Sequence, residues 1–174
     1  MAATLPQPPT IATLSPQEIV FIALKAHPLP AAGRGHRQAR QAPTIVQWRC
    51  SSNIPWWLNH GPGHTAGSKG TLSLLNPGAA LCNHIRPERV IGSAAYSLNE
   101  IAASGVIQHV TQNRCMFGKP DGSASARLKQ VADLVGGAGI ETFTMADVRS
   151  EIFRKLAHNA ANNTLCSLTQ LACA

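Results

Sequence analysis

The sequence predicts an α/β fold that runs into the start of a helical domain, and three observations predict it. Residues 19–24 form an unbroken apolar run, the pattern of a strand buried on both faces of a parallel sheet. Strand-like and helix-like segments then alternate along the chain. Near the end, Asp147 to about Leu165 reads as one long helix. With 174 residues and 44% hydrophobic content the chain can bury one core, and its charge density is too low for a disordered protein.

Residues 1–16, rich in Pro, Ala and Thr, read as a loose lead-in. Lys25 stands at the carboxyl end of the first strand, where open α/β sheets bind ligands, so it is a candidate contact for a cofactor phosphate or a substrate. An ordinary surface lysine is the plainer alternative. Residues 31–51 break the pattern with a run of Gly, Arg and Gln, although residues 44–48 still read as a short strand. After a glycine-rich loop at 61–70, strands are expected at 90–96, 106–110 and 115–118. Pro120, Asp121 and Gly122 mark a turn. Ser123 or Ser125 can then cap a helix that buries Leu128, Val131, Leu134 and Val135, with Gly136 and Gly137 supplying its stop. Residues 139–144 read as a last strand before the long helix.

The net charge of +7 is uneven: residues 1–50 carry five basic groups against Glu18, and the remainder ten against seven acids. With no aromatic interleaving, RNA-binding signature or continuous basic helix, this excess reads as a solvated loop around Arg34, Arg37, Arg40 and Arg49, and a nucleic-acid partner is not expected. Five cysteines without C-x-x-C spacing suit reduced thiols in a cytoplasmic protein better than a disulfide framework. The proline-rich start lacks the charged and apolar regions of a signal peptide, and no apolar run approaches the roughly 20 residues that cross a membrane.

Several chemical motifs fail on inspection. Gly33 and Gly35 suggest G-x-G-x-x-G, but Gln38 occupies the sixth position and no strand precedes them; among Gly61, Gly63 and Gly67, Pro62 removes a donor that a phosphate cradle would use. His60 and His64 have helical zinc spacing but are separated by Gly-Pro-Gly, so no metal is expected. There is neither a G-x-S-x-G elbow nor a convincing cysteine–histidine nucleophile pair. Trp56 and Trp57 suit a pocket lining or, more often, packing at a domain boundary.

What stands out is a stripe on the long helix. Lys155, Asn159 and Asn163 recur every four residues and so share one side of the rod with Ile152 and Leu156. Polar groups placed among aliphatic ones are partly withdrawn from water, which is costly unless they have partners. The simpler reading is a solvated face on which Glu151 and Lys155 make an i,i+4 pair worth about 0.2–0.5 kcal/mol.

The segment around the stripe, RKLAHNAANNTL (154–165), resembles the start of the substrate domain of ketopantoate reductases, also called 2-dehydropantoate 2-reductases. Other landmarks follow in family order: IALKAH (22–27), IPWW (54–57), NPGAAL (76–81), PERVIG (87–92), GVIQHV (105–110) and GKPDGS (118–123). The resemblance covers most of residues 17–170. It implies an incomplete Rossmann-like dinucleotide-binding domain over 17–144, lacking the glycine-fingerprint unit, followed at 145–174 by the first helix of an all-helical C-terminal substrate domain. It also implies NADPH-dependent reduction of a small-molecule 2-keto acid, 2-dehydropantoate, to pantoate in pantothenate and coenzyme A biosynthesis. Lys155 would be the catalytic cation, Asn159 and Asn163 substrate ligands, and Lys25, Ser52 and Asn53 the residues beside the cofactor NADP(H). The sequence departs from the family at Ser52 and Asn53, where asparagine and glycine are usual, and at Thr164, where proline is. The expectation is therefore a truncated or degenerate member, with a non-catalytic remnant or binding module as the alternative.

Overall fold

Two apolar layers, one on each face of a five-stranded sheet, hold the protein together. The computed structural model describes residues 17–23, 44–47, 54–58, 83 and 85–170. Within them the strands are β1 (Ile19–Ile22), β2 (Thr44–Gln47), β3 (Val90–Ala103), β4 (Val106–Gly118) and β5 (Glu141–Thr144), and the helices are α1 (Ala126–Gly137) and α2 (Val148–Thr169). The strands lie in sequence order across the sheet; β1, β2 and β3 are parallel to one another, β4 is antiparallel to β3, and β5 is parallel to β4. The expected strands at the start of the sheet are thus present, with Ile22, Gln47 and Gly92 in register across it.

The first half of β3 shows why both layers form. Val90 and Ala94 pack with Trp56, Trp57, Ile85, Val148 and Ile152 on the α2 face, whereas Ile91 and Ala95 pack with Phe117, Cys115 and the apolar side of α1 on the other. This is the period-two alternation of a strand covered on both faces. Beyond Tyr96 the β3–β4 ribbon leaves the layers, and the cross-strand pair Ile101 and Ile107 is 80% and 71% exposed.

The segments expected as separate strands at 106–110 and 115–118 are one strand. What looked like a gap is a bulge: Gln112 has φ 58° and the register slips between Tyr96 and Leu98, so an extra residue is absorbed without ending the ladder. In α1 the buried residues are Leu128, Val131, Ala132 and Val135, while Leu134 is 55% exposed. Leu134 lies six residues beyond Leu128, about 240° around the helix, so Ala132 takes the place expected for it. The helix stops later than expected, running through Gly137 and turning at Gly139, whose φ is +86°. Cys115 is buried in the α1 layer, and Cys166 is disulfide-bonded, which corrects the expectation of reduced thiols throughout.

The GKPDGS segment builds the turn between β4 and α1. The Gly122 N–H donates to the Lys119 carbonyl at 3.0 Å, and Asp121 accepts from the Ser123 N–H at 3.0 Å, the Ser123 hydroxyl at 2.8 Å and the Lys119 ammonium at 3.0 Å. Partial burial would raise the Asp121 pKa, but these bonds outweigh it and hold the carboxyl down at about 2. The folded state therefore binds fewer protons than the unfolded state between the ordinary pKa of 3.8 and about 2, so stability falls as pH drops through that window. Because the Asp121 side chain is 46% exposed, solvent screening limits the loss to about 1 kcal/mol. The denaturation midpoints of the parent and Asp121→Asn should differ at pH 6 and converge near pH 2; a constant gap would rule this out.

With Ser123 engaged by Asp121, the cap of α1 falls to Ser125, whose hydroxyl accepts from the Leu128 N–H at 3.2 Å. Ser125→Ala should lower unfolding free energy by about 1 kcal/mol in urea titration. No loss would place the cap elsewhere.

Candidate functional site

The site grows from the N-terminal half of α2. Asp147 caps this helix, accepting from the Ser150 N–H at 3.0 Å and the Ser150 hydroxyl at 2.5 Å, and these bonds hold its carboxyl below the usual range. Val148 and Ile152 then bury against the sheet, and the Arg149 Nε donates to the Leu58 carbonyl at 3.1 Å, tying the Trp56–Trp57 turn to the helix. Every buried residue of α2 lies between Val148 and Lys155. After Lys155 no residue of the helix is buried, and Leu165 and Leu168 are 58% and 76% exposed.

Lys155 thus sits at the boundary between core and solvent, only 8% exposed. Its ammonium donates to the backbone carbonyl of Ala95 on β3 and lies 5.3 Å from the centroid of the Tyr96 ring. A carbonyl and a ring face both favour a cation without neutralising it. The Tyr96 hydroxyl donates at 2.8 Å to Oε1 of Glu151, which is 3% exposed, and Arg154 Nη1 donates to the other Glu151 oxygen at 2.6 Å. From β4, the Arg114 guanidinium stands 5.0 Å from the same ring. Burial first, and then the Glu151 carboxylate, push the Tyr96 pKa up to about 12 against the opposing pull of Arg114 and Arg154. The phenol is therefore a neutral donor at physiological pH.

Glu151, which the simpler reading pairs with Lys155, accepts from Tyr96 and Arg154. Asn159 and Asn163 follow on the same side of α2, about 6 and 12 Å further along the axis, the first half-buried and the second exposed. Lys25, Ser52 and Asn53 lie outside the described residues. So do His60 and His64; among the described residues no group of three His, Cys, Asp or Glu side chains is placed to hold a metal ion. No described helix is long and apolar enough to cross a membrane.

Tyr96, Glu151 and Arg114 were not picked out from sequence as site residues. Tyr96 is the chain's single tyrosine and ends the strand predicted at 90–96, which is a weak signal. Its approach to α2 is a tertiary contact across 55 residues, which no local pattern encodes.

No family model matches the chain. A curated 2-dehydropantoate 2-reductase of Mesorhizobium japonicum is 37% identical over 158 residues, covering 90% of this chain and 47% of that protein. The chain therefore spans about half the length of the curated relative it matches. Among solved structures, a protein from Ralstonia solanacearum assigned as a ketopantoate reductase is 26% identical with a TM-score of 0.78, over 92% of this chain and 49% of that one. The Geobacter metallireducens 2-dehydropantoate 2-reductase, at 21% identity and TM-score 0.62 over 89% of this chain and 44% of that one, shares the Rossmann-like fold. So does D-mandelate dehydrogenase solved with NADH, at 13% identity and TM-score 0.63 over 88% of this chain and 44% of that one.

Proposed function

We propose that the chain is a member of the ketopantoate reductase family and takes part in the NADPH-dependent reduction of 2-dehydropantoate to pantoate. The observation that carries the reading is Lys155, a nearly buried ammonium held by a carbonyl and a ring, in a chain 37% identical to such a reductase over 158 residues. A reduced ketone oxygen gathers negative charge as it becomes an alkoxide. A fixed cation that can also release a proton lowers that barrier electrostatically and as a general acid.

The described residues fit a nicotinamide cofactor in one respect. β1 and β2 run parallel into β3, so β1 and β2 end at a common carboxyl edge, the place where open α/β sheets bind ligands. Lys25 follows β1 by three residues, and with Ser52 and Asn53 it would hold the cofactor. The chemistry that bound NADPH supplies is a hydride. The chain's own part is Lys155, which would stabilise the forming alkoxide and hand it a proton from Nζ. Asn159 and Asn163 would orient the substrate's hydroxyl and carboxylate by hydrogen bonds, the contribution of proximity. By the same reading, residues 17–144 are the cofactor-binding unit and residues 145–174 open the substrate domain.

The test is NADPH oxidation by the purified chain with 2-dehydropantoate, beside a Lys155→Ala control. Turnover that disappears in the control supports the reading. A folded chain that binds NADPH without turnover would make it a binding module, and one that does neither would overturn the reading for this chain.

A further inference from the structure

We propose that Tyr96 is a positioning residue for Lys155, its ring face holding the ammonium beside the Ala95 carbonyl. The proposal rests on Lys155 being the reactive cation. A lysine side chain left to itself samples many rotamers, and fixing it opposes about 2 kcal/mol of conformational entropy. The contacts that hold this one include the Ala95 carbonyl and the Tyr96 ring, whose centroid at 5.3 Å is within the roughly 6 Å reach of a cation–π interaction.

The ring is itself immobilised. Its hydroxyl is bonded at 2.8 Å to Glu151, and Glu151 is buried and held on its other oxygen by Arg154 at 2.6 Å. A phenol donating to a carboxylate carries more electron density in its ring, which strengthens the attraction for a cation. The charged groups gathered about the Tyr96 side chain include Lys155, Glu151 and Arg154 from α2 and Arg114 from β4. Tyr96 couples them, because Arg114 and Lys155 both address its ring and Glu151 its hydroxyl. In the reductase reading, this ring decides where the proton-donating Nζ stands when the ketone arrives.

The experiment compares Tyr96→Phe and Tyr96→Leu in the full chain. Both substitutions remove the hydroxyl and release Glu151 equally, so the difference between them reports the ring alone. Acylation of Lys155 by acetic anhydride, quantified by mass spectrometry from neutral to strongly alkaline pH, gives the midpoint at which the amine loses its proton. The midpoint in Tyr96→Leu should lie about one pH unit below that in Tyr96→Phe, because the ring favours the charged form. Coincident midpoints would overturn the proposal. Should Tyr96→Leu fail to fold, Tyr96→Met, equally ringless, takes its place.

Where the parent turns over, kcat should fall about tenfold in the ringless variant relative to Tyr96→Phe with KM for NADPH unchanged. Equal kcat values would also count against positioning. The titration needs no turnover, so an inactive parent would remove the reductase reading while the midpoints still decide the role of Tyr96.

Discussion

Lys155→Ala is expected to reduce NADPH oxidation with 2-dehydropantoate by about a thousandfold or more, since it removes an electrostatic partner worth roughly 10²–10³ and a proton donor worth roughly 10²–10⁴, two effects that overlap in one group. Cofactor affinity should hardly change, because Lys155 lies on α2 and not at the strand ends assigned to the dinucleotide. Nor should the fold fail. The Ala95 carbonyl loses a donor at a cost of about 1–2 kcal/mol, partly offset because a nearly buried ammonium no longer has to be desolvated. Lys155→Arg separates the two roles. Guanidinium keeps the charge but does not give up a proton near neutral pH, so an electrostatic contribution survives in the arginine variant and a general-acid contribution does not. A rate for Lys155→Arg between the parent and the alanine variant would show both at work. Unchanged turnover in Lys155→Ala would remove this residue from the chemistry altogether.

Where sequence was informative, the reason was local. Asp147 and Ser125 cap their helices through side chains that reach three residues ahead, and the Lys119–Ser123 turn is closed by the groups within it. The sector of α2 holding Lys155 and Ile152 was legible because helical spacing alone puts them on one side, and both are buried. Errors arose where a choice depended on something distant. Leu134 is more apolar than Ala132, but the α1 layer takes Ala132, whose place on the helix faces the sheet. Bulge pairing with β3 joins two segments that looked separate in β4. In the site, the likeness of RKLAHNAANNTL to a known family singled out Lys155, whereas its surroundings come from β3 and β4. An i,i+4 rule takes no account of a phenol 55 residues away, and Glu151 binds that phenol and Arg154.

The same dependence on distant contacts explains two glycines of family-like motifs, Gly92, which closes PERVIG, and Gly118, which opens GKPDGS. They are directly paired across β3 and β4 and form the floor on which Trp57 and Val148 rest. A Cβ at Gly92 would lie 2.5 and 2.7 Å from two ring carbons of Trp57, a fully buried indole in the α2 layer. A Cβ at Gly118 would lie 2.6 Å from the Val148 Cβ and 2.7 Å from the Met145 carbonyl oxygen. The second clash is the harder to relieve. Its partners are backbone and a β-carbon rather than a side-chain tip, and the Met145 N–H is bonded to the Phe117 carbonyl at 2.7 Å. Gly118→Ala should therefore cost about 3 kcal/mol or more, at the upper end of overpacking effects, and Gly92→Ala somewhat less as the indole tilts. Against a total stability of about 5–15 kcal/mol, the double variant should be largely unfolded. Because Val148 opens α2, Gly118→Ala should also loosen Lys155, visible as faster amide exchange through the first turns of that helix. Gly137→Ala is the control: a Cβ there meets nothing within 4 Å, and the helical position should gain up to about 1 kcal/mol. Urea midpoints would check all four variants, and a Gly118→Ala midpoint equal to that of the parent would mean that α2 can shift away from the sheet at little cost.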